Sequence, residues 1–246
     1  MPASRPETSS NAPFTKTRWS QVVAAGERAG PKAGEALAHL CSAYWYPLYA
    51  FVRRKGHPPD EAADLVQGTF LTLLDRDGLA AVAPERGRFR SILMAACAHH
   101  LADCRDRDRA VKRGGGAVPV SIDRALAEGR YSAEPVNDWT PERLFERRWA
   151  TGLLENAVAR LEAESTAAGK SALMSHLLPT LTGGRGNIPF AAIAAELGMT
   201  EGAVKMAASR LRKRYGEILR EEIARTVANP ADVEHEVRAL FAALAR

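Results

Sequence analysis

Three groups of residues in this 246-residue chain have types and spacings that chemistry could use. Cys97, His100 and Cys104 fall at i, i+3 and i+7, on one face of a helix. They are zinc ligands by type, but a tetrahedral site normally draws its ligands from two segments, and His99 points elsewhere. Buried thiols beside a satisfied histidine are the simpler reading. Gly183-Gly184-Arg185-Gly186 is glycine-rich like a phosphate loop, yet it lacks the Lys-Ser/Thr that such a loop needs and follows no strand. Acidic residues are plentiful, but they lie at helix starts and in exposed runs, and nothing places two carboxylates in a dry pocket. No catalytic residue, metal-ligand set or cofactor motif emerges, so the expectation is a protein that is not an enzyme.

The chemistry that does stand out is recognition of a polyanion, in residues 187–215. Pro189 suits the first turn of a helix, where its missing N–H costs nothing. Phe190, Ile193, Ala194 and Leu197 then recur at i, i+3, i+4 and i+7, and Gly198 follows as a helix stop. Thr200 is a good N-cap for a second helix, in which Val204, Ala207, Ala208, Leu211 and Tyr215 form the buried stripe. The opposite side presents Gly202, Lys205, Ser209 and Lys213, flanked by Arg210, Arg212 and Arg214. A helix, a glycine turn and a second helix with a basic outer face form a helix-turn-helix suited to a DNA major groove. An ordinary helical hairpin with a solvated basic face is the plain alternative, because helix ends collect Lys and Arg for electrostatic reasons.

Composition sets the frame for these residues. A hydrophobic content of 46% supplies a packed core, and the net charge of +5 is compatible with a polyanionic partner without arguing for one. Cys41, Cys97 and Cys104 make no paired framework, which fits a reducing compartment. The first residues lack the apolar stretch of a signal peptide and no run is long enough to span a bilayer. A cytoplasmic location and no membrane partner are expected.

Helical periodicity runs through nearly the whole chain, and no strand pattern of useful length appears. Residues 1–16 read as a disordered tail. A first helix is expected from about Thr17, broken at Gly30-Pro31. A second carries Leu37, Leu40, Cys41, Tyr44, Leu48, Phe51 and Val52, with Pro47 expected to kink it. Tyr44, Trp45, Tyr46 and Tyr49 could stack on bases, but such rings more often fill a core. Asp60 opens a helix in which Gly68 is a local weakness of about 1 kcal/mol relative to alanine. After a turn at Pro84-Glu85-Arg86-Gly87, a long helix is expected from about Arg88 to Arg109, with five basic and three acidic residues between 103 and 113. Residues 114–139 read as a linker with anchors at Val120, Ile122 and Tyr131. Thr140-Pro141-Glu142 restarts a helix, along which Phe145, Trp149, Leu153, Ala157 and Leu161 repeat every fourth residue. A shorter helix covers Ser171 to Leu178, and Asn229-Pro230 precedes a terminal amphipathic helix with Val233, Val237, Leu240, Phe241 and Leu244.

The expected fold is therefore all-α, with two helical domains joined by a linker and the helix-turn-helix in the second. The boundaries are a tail at 1–16, a first domain at 17–113, the linker at 114–139, a second domain at 140–228 and a C-terminal amphipathic helix at 229–246.

Taken together, three segments resemble an extracytoplasmic-function (ECF) sigma factor of bacterial RNA polymerase. Residues 63–70 resemble the family's polymerase-binding helix at Asp64, Leu65, Val66, Gln67, Thr69 and Phe70. Residues 89–103 resemble its promoter-melting helix at Phe89, Arg90, Leu93 and Asp103, with Ala98 and His99 replacing an Arg-Asn pair. Residues 200–215 resemble its upstream-element recognition helix, with Met206 and Ala207 replacing Ser and Arg. The linker and the extension past Arg220 exceed a minimal member.

The resemblance implies a sigma factor that binds core RNA polymerase and promoter DNA and directs transcription initiation without catalysing a reaction or needing a cofactor. Asp64, Gln67, Phe70, Leu71 and Leu74 would bind polymerase. Phe89, Arg90, His99, His100, Arg105, Arg107 and Arg109 would face the melting element. Thr200, Glu201, Lys205, Ser209, Arg210, Arg212, Lys213 and Arg214 would meet the upstream element. Control by an anti-sigma protein, by a Ser/Thr kinase or by the C-terminal extension is left open. Two other readings stand beside it. One is a conventional helix-turn-helix transcriptional regulator with residues 17–113 as a helical sensor or dimerisation domain. The other is a protein-interaction adaptor whose helix-turn-helix never meets DNA.

Overall fold

A computed structural model describes residues 31–74, 89–110, 124–134, 138–182, 188–227 and 229–245; the side chains of 31–40, 74, 107–110, 124 and 182 fall outside what it describes. The expectations for the 1–16 tail, the helix near Thr17, the turn at Pro84, the anchors Val120 and Ile122 and the Gly183–Gly186 loop lie outside the described residues. So do the side chains of Leu74, Arg107 and Arg109. Every regular element that is described is helical.

Local signals explain most of these helices. Helix α1 (Pro31–Arg54) runs through Pro47, and α2 (Pro59–Leu74) opens with Asp60 and Glu61, acids placed where the helix dipole favours them. Helix α3 is Phe89–Ala110. The segment read as a linker contains a helix, α4 (Arg124–Ser132). Thr140 caps α5 (Pro141–Ala167): its Oγ1 accepts the Arg143 N–H at 3.2 Å and Pro141 occupies the first turn. The short helices α6 (Ser171–Leu177) and α7 (Pro179–Thr182) follow. Helix α8 (Phe190–Leu197) ends at Gly198, whose φ of 64° is the left-handed conformation that glycine adopts without steric cost. Thr200 caps α9 (Glu201–Ala224), accepting the Ala203 N–H at 3.2 Å. Asn229 accepts the Ala231 N–H at 3.0 Å and starts a 3-10 turn that leads into α10 (Val233–Ala245).

Helix α5 is the spine. Its expected stripe, Phe145, Trp149, Leu153, Ala157 and Leu161, is buried throughout. It packs on α1, α6, α9 and α10, so a single hydrophobic cluster runs from Tyr44, Leu48 and Phe51 through Phe145 and Trp149 to Ile218, Ile223 and Leu240. The two segments read as separate domains thus share a core. Each fully buried Leu, Ile or Phe contributes about 1.5–3 kcal/mol, so the side chains shared across α5 stabilise the junction.

The aromatic group of α1 belongs to that core. Tyr44, Trp45, Tyr46 and Tyr49 are buried, with Trp45 stacked on Tyr49 at 5.1 Å and Tyr44 edge-on to Phe89 at 5.1 Å. It is therefore no base-stacking surface. Gly68 is explained by packing: a Cβ there would sit 2.5 Å from Nε2 of His100, so the glycine admits the α3 imidazole against α2.

A second, smaller cluster lies where α6, α8 and the first half of α9 meet. Leu177, Ile193, Ala194, Val204 and Ala208 are buried there, with Leu173, Phe190, Leu197, Met199, Ala207 and Leu211 around them. This cluster fixes α8 against α9 and turns the remaining arc of α9 to solvent.

Candidate nucleic-acid interface

The exposed arc of α9 follows from its buried one. At about 100° per residue, Gly202, Met206, Ser209 and Lys213 lie within roughly 60° of one another on the side away from Val204 and Ala208. Lys205 and Arg212 border them on one side and Arg210 on the other. All seven are exposed. Among the described residues, Arg210, Arg212 and Lys213 form no ion pair, while Lys205 Nζ lies 2.6 Å from a carboxylate oxygen of Glu201 one turn earlier. That surface pair holds Lys205 weakly, because exposed i, i+4 pairs are worth only about 0.3–0.5 kcal/mol. Thr200 gives its oxygen to the cap, so its O–H remains a donor at the N-terminus of α9, where anions are favoured. Five of the residues read as upstream-element contacts, Lys205, Ser209, Arg210, Arg212 and Lys213, therefore share one solvent-facing arc, while Thr200 stands at the end of the helix as its cap and Glu201 is the partner of Lys205.

Arg214 differs. Its Nε and Nη2 donate to the two carboxylate oxygens of Glu164 on α5, each at 2.8 Å, and Nη1 reaches Glu217 at 3.3 Å and Glu221 at 3.2 Å. The guanidinium holds the Glu164 carboxyl below the usual carboxylate range, and the Glu164 hydrogen bonds raise Arg214 further above its own. Beside it, Arg160 pairs with Glu221 and Glu222. Arg214 thus ties α9 to α5 rather than offering a free cation to a phosphate. Its expected role gives way because three carboxylates surround it.

The residues read as melting-element contacts divide along α3. Phe89 and Arg90 are buried. Arg90 Nε lies 2.9 Å from Glu146 of α5, Nη1 pairs with Glu236 of α10, and the guanidinium lies 4.3 Å from the centre of the Trp149 ring. Neither residue faces a surface that a strand could touch in this packing. His100 is half-buried beside Cys104, with Nε2 and Sγ 3.6 Å apart. His99 is 81% exposed near Asp103, and Arg105 is exposed. Cys97 is wholly buried, and burial pushes its thiol up to about 11. Among the described residues no three His, Cys, Asp or Glu side chains converge as a metal site.

The residues read as polymerase contacts also divide. Asp64 and Leu71 face solvent, whereas Gln67 and Phe70 are buried. Helix α4 lies across α1 and α2. It is held by Arg53, whose Nε and Nη2 donate to the two oxygens of Glu128 at 3.0 and 2.8 Å, and by Tyr49, whose hydroxyl donates to the same carboxylate. Arg53 is the main cause of the depressed Glu128 pKa. Tyr46 donates to Glu134 at 2.9 Å, and Arg148 of α5 pairs with the same carboxylate. These clasp residues escaped the sequence reading because Arg53 and Glu128 are 75 residues apart and neither belongs to a motif. The expected anchor Tyr131 does pack here, edge-on to Tyr49 with the Arg53 guanidinium 4.8 Å from its ring centre.

The terminal helix corrects one further expectation. Phe241 is 56% exposed, and the buried position on α10 beside Leu240 is instead the charged Glu236. The buried face of α10 is the one that meets Arg90 through Glu236, and Phe241 lies about 140° round the helix from Glu236. No helix among the described residues is long and apolar enough to cross a membrane. Comparison of the chain with protein-family models, with curated proteins and with solved structures finds no match.

Proposed function

We propose that this chain is a promoter-specificity subunit of bacterial RNA polymerase, a sigma factor of the ECF type, which binds core polymerase and reads promoter DNA. The observation that carries the reading is the solvent-facing arc of α9, where Lys205, Arg210, Arg212 and Lys213 surround Gly202 and Ser209 while a small dedicated core holds α8 behind it. In this reading α8 and α9 are a helix-turn-helix. Its second helix enters the major groove, with Lys205, Ser209 and Lys213 near base edges or phosphates and Arg210 and Arg212 on phosphates. Asp64 and Leu71 are the solvent-exposed α2 groups that would face a polymerase helix, a polar residue beside an apolar side chain. His99 and Arg105 are the α3 groups available to a melted strand, and Phe89 and Arg90 support that helix from within.

The test is co-elution of the full-length chain with bacterial core polymerase on a sizing column, followed by binding to promoter duplex across a salt series. A stable complex is expected, and Lys213→Ala should reduce the salt slope by about one unit. Absence of co-elution rejects the reading.

One observation favours a second reading. The shared core built on α5 is what a one-piece scaffold carrying a DNA reader would have, and it suits a conventional helix-turn-helix regulator. That reading predicts tight duplex binding without polymerase, as a dimer on a two-fold site.

A further inference from the structure

We infer that Met206 is a specificity-determining residue that reads the methyl group of a thymine in the major groove, and that Gly202 allows α9 to come close enough for it to do so. The inference rests on the DNA reading of α9 given above. Met206 is 60% exposed, one of the few large apolar side chains left in water among the described residues, and it lies inside the cationic arc. It follows Gly202 by four residues and precedes Ser209 and Lys213 by three and seven, so it belongs to the centre of the arc and Lys205 to its margin.

The cations around it fit a polyanion, which commits the occupant to the duplex these cations would neutralise. Among the groups on base edges in the major groove, the C5-methyl of thymine is the one that is apolar. The unbranched thioether of methionine adapts its shape to such a group and is polarizable. Gly202 supplies the complementary feature. Nothing lies within 4 Å of the place where its Cβ would stand, so the glycine is not required by packing inside the chain. Its bare backbone leaves room on the outer side of the first turn of α9, beside Met206.

The test uses the full-length chain with core polymerase. Bound sequences are selected from a randomised duplex library, and each thymine of the winning site is then replaced singly by deoxyuridine, which removes only the methyl. One position is expected at which deoxyuridine weakens wild-type binding about fourfold, the ratio for losing burial of one methyl-sized group. Met206→Ala and Met206→Gln should both erase that difference while still binding the thymine site, because an exposed residue is not needed for folding. Selection of a site with no deoxyuridine-sensitive position overturns the inference and leaves the DNA reading standing. So does a sensitivity that survives both variants. Failure to enrich any sequence overturns both.

Discussion

Arg90 offers the sharpest test of how the chain is held together. Its side chain is 5% exposed and that of Glu236 is 4% exposed, while Glu146 keeps 30% of its surface in water. Arg90→Ala removes the guanidinium from Glu236 and from the Trp149 face. Glu146 can turn outward to solvent, but Glu236 cannot do so without moving α10. Breaking a buried pair by deleting one partner costs about 3–5 kcal/mol, most of it for the charge left behind. For a chain of this length, where each kcal/mol shifts the midpoint by about 2–4 °C, thermal unfolding should fall by roughly 6–20 °C. Arg90→Met with Glu236→Gln removes both charges and keeps much of the volume, so it should be clearly milder than Arg90→Ala. Differential scanning calorimetry gives the midpoint, and hydrogen exchange across residues 233–245 should accelerate in the single variant. A midpoint lowered by less than about 2 °C, with unchanged exchange in α10, would refute the placement of Arg90 as the joint between α3, α5 and α10.

Other outcomes follow from the same geometry. Arg214→Ala should lower stability by no more than about 1 kcal/mol, since its partners are part-exposed. It should leave the salt slope of DNA binding unchanged, whereas Lys213→Ala should do the reverse; denaturant titration and salt-dependent anisotropy separate the two. Gly68→Ala should fail to give the gain of about 1 kcal/mol that helix propensity promises. In a His100→Ala background, where the obstructing ring is gone, the same change should deliver it, as a double-mutant cycle in urea would show. Burial raises the Cys41 and Cys97 thiols to about 11. The unfolded chain therefore loses these protons first, so stability should hold up to about pH 8.5, the ordinary thiol value, and decline as pH climbs from there towards 11. Urea midpoints at pH 8 and pH 10 measure this, and Cys97 should resist alkylation at pH 8 until the chain unfolds.

What could be read from the sequence was local. Thr140, Gly198 and Thr200 announced helix ends because a cap is made by residues two or three positions away. The α5 stripe was legible because burial on one face repeats with the helical period. The candidate interface was legible for the same reason: a buried stripe of α9 defines its exposed arc. The surroundings of individual charges were not legible. Arg90 finds its partners 56 and 146 residues along the chain, and no periodicity within α3 distinguishes it from Arg105, which faces solvent. Arg214 looked like its neighbours Arg212 and Lys213 until Glu164 arrived from α5. Helix α4 is short and polar, and tertiary contacts at Glu128, Glu134 and Ala127 hold it in place. The shared core was hidden because periodicity shows which face of α5 is buried but not which helices bury it.

Transcription in a purified system tests the central claim most directly. Core polymerase that lacks any other initiation factor is mixed with a genomic DNA library, with and without the full-length chain, and the 5′ ends of the transcripts are mapped. The account predicts discrete start sites that appear only when the chain is added, share an upstream sequence, and weaken when Lys205, Arg210, Arg212 and Lys213 are replaced together. Start sites that are the same with and without the chain would contradict it.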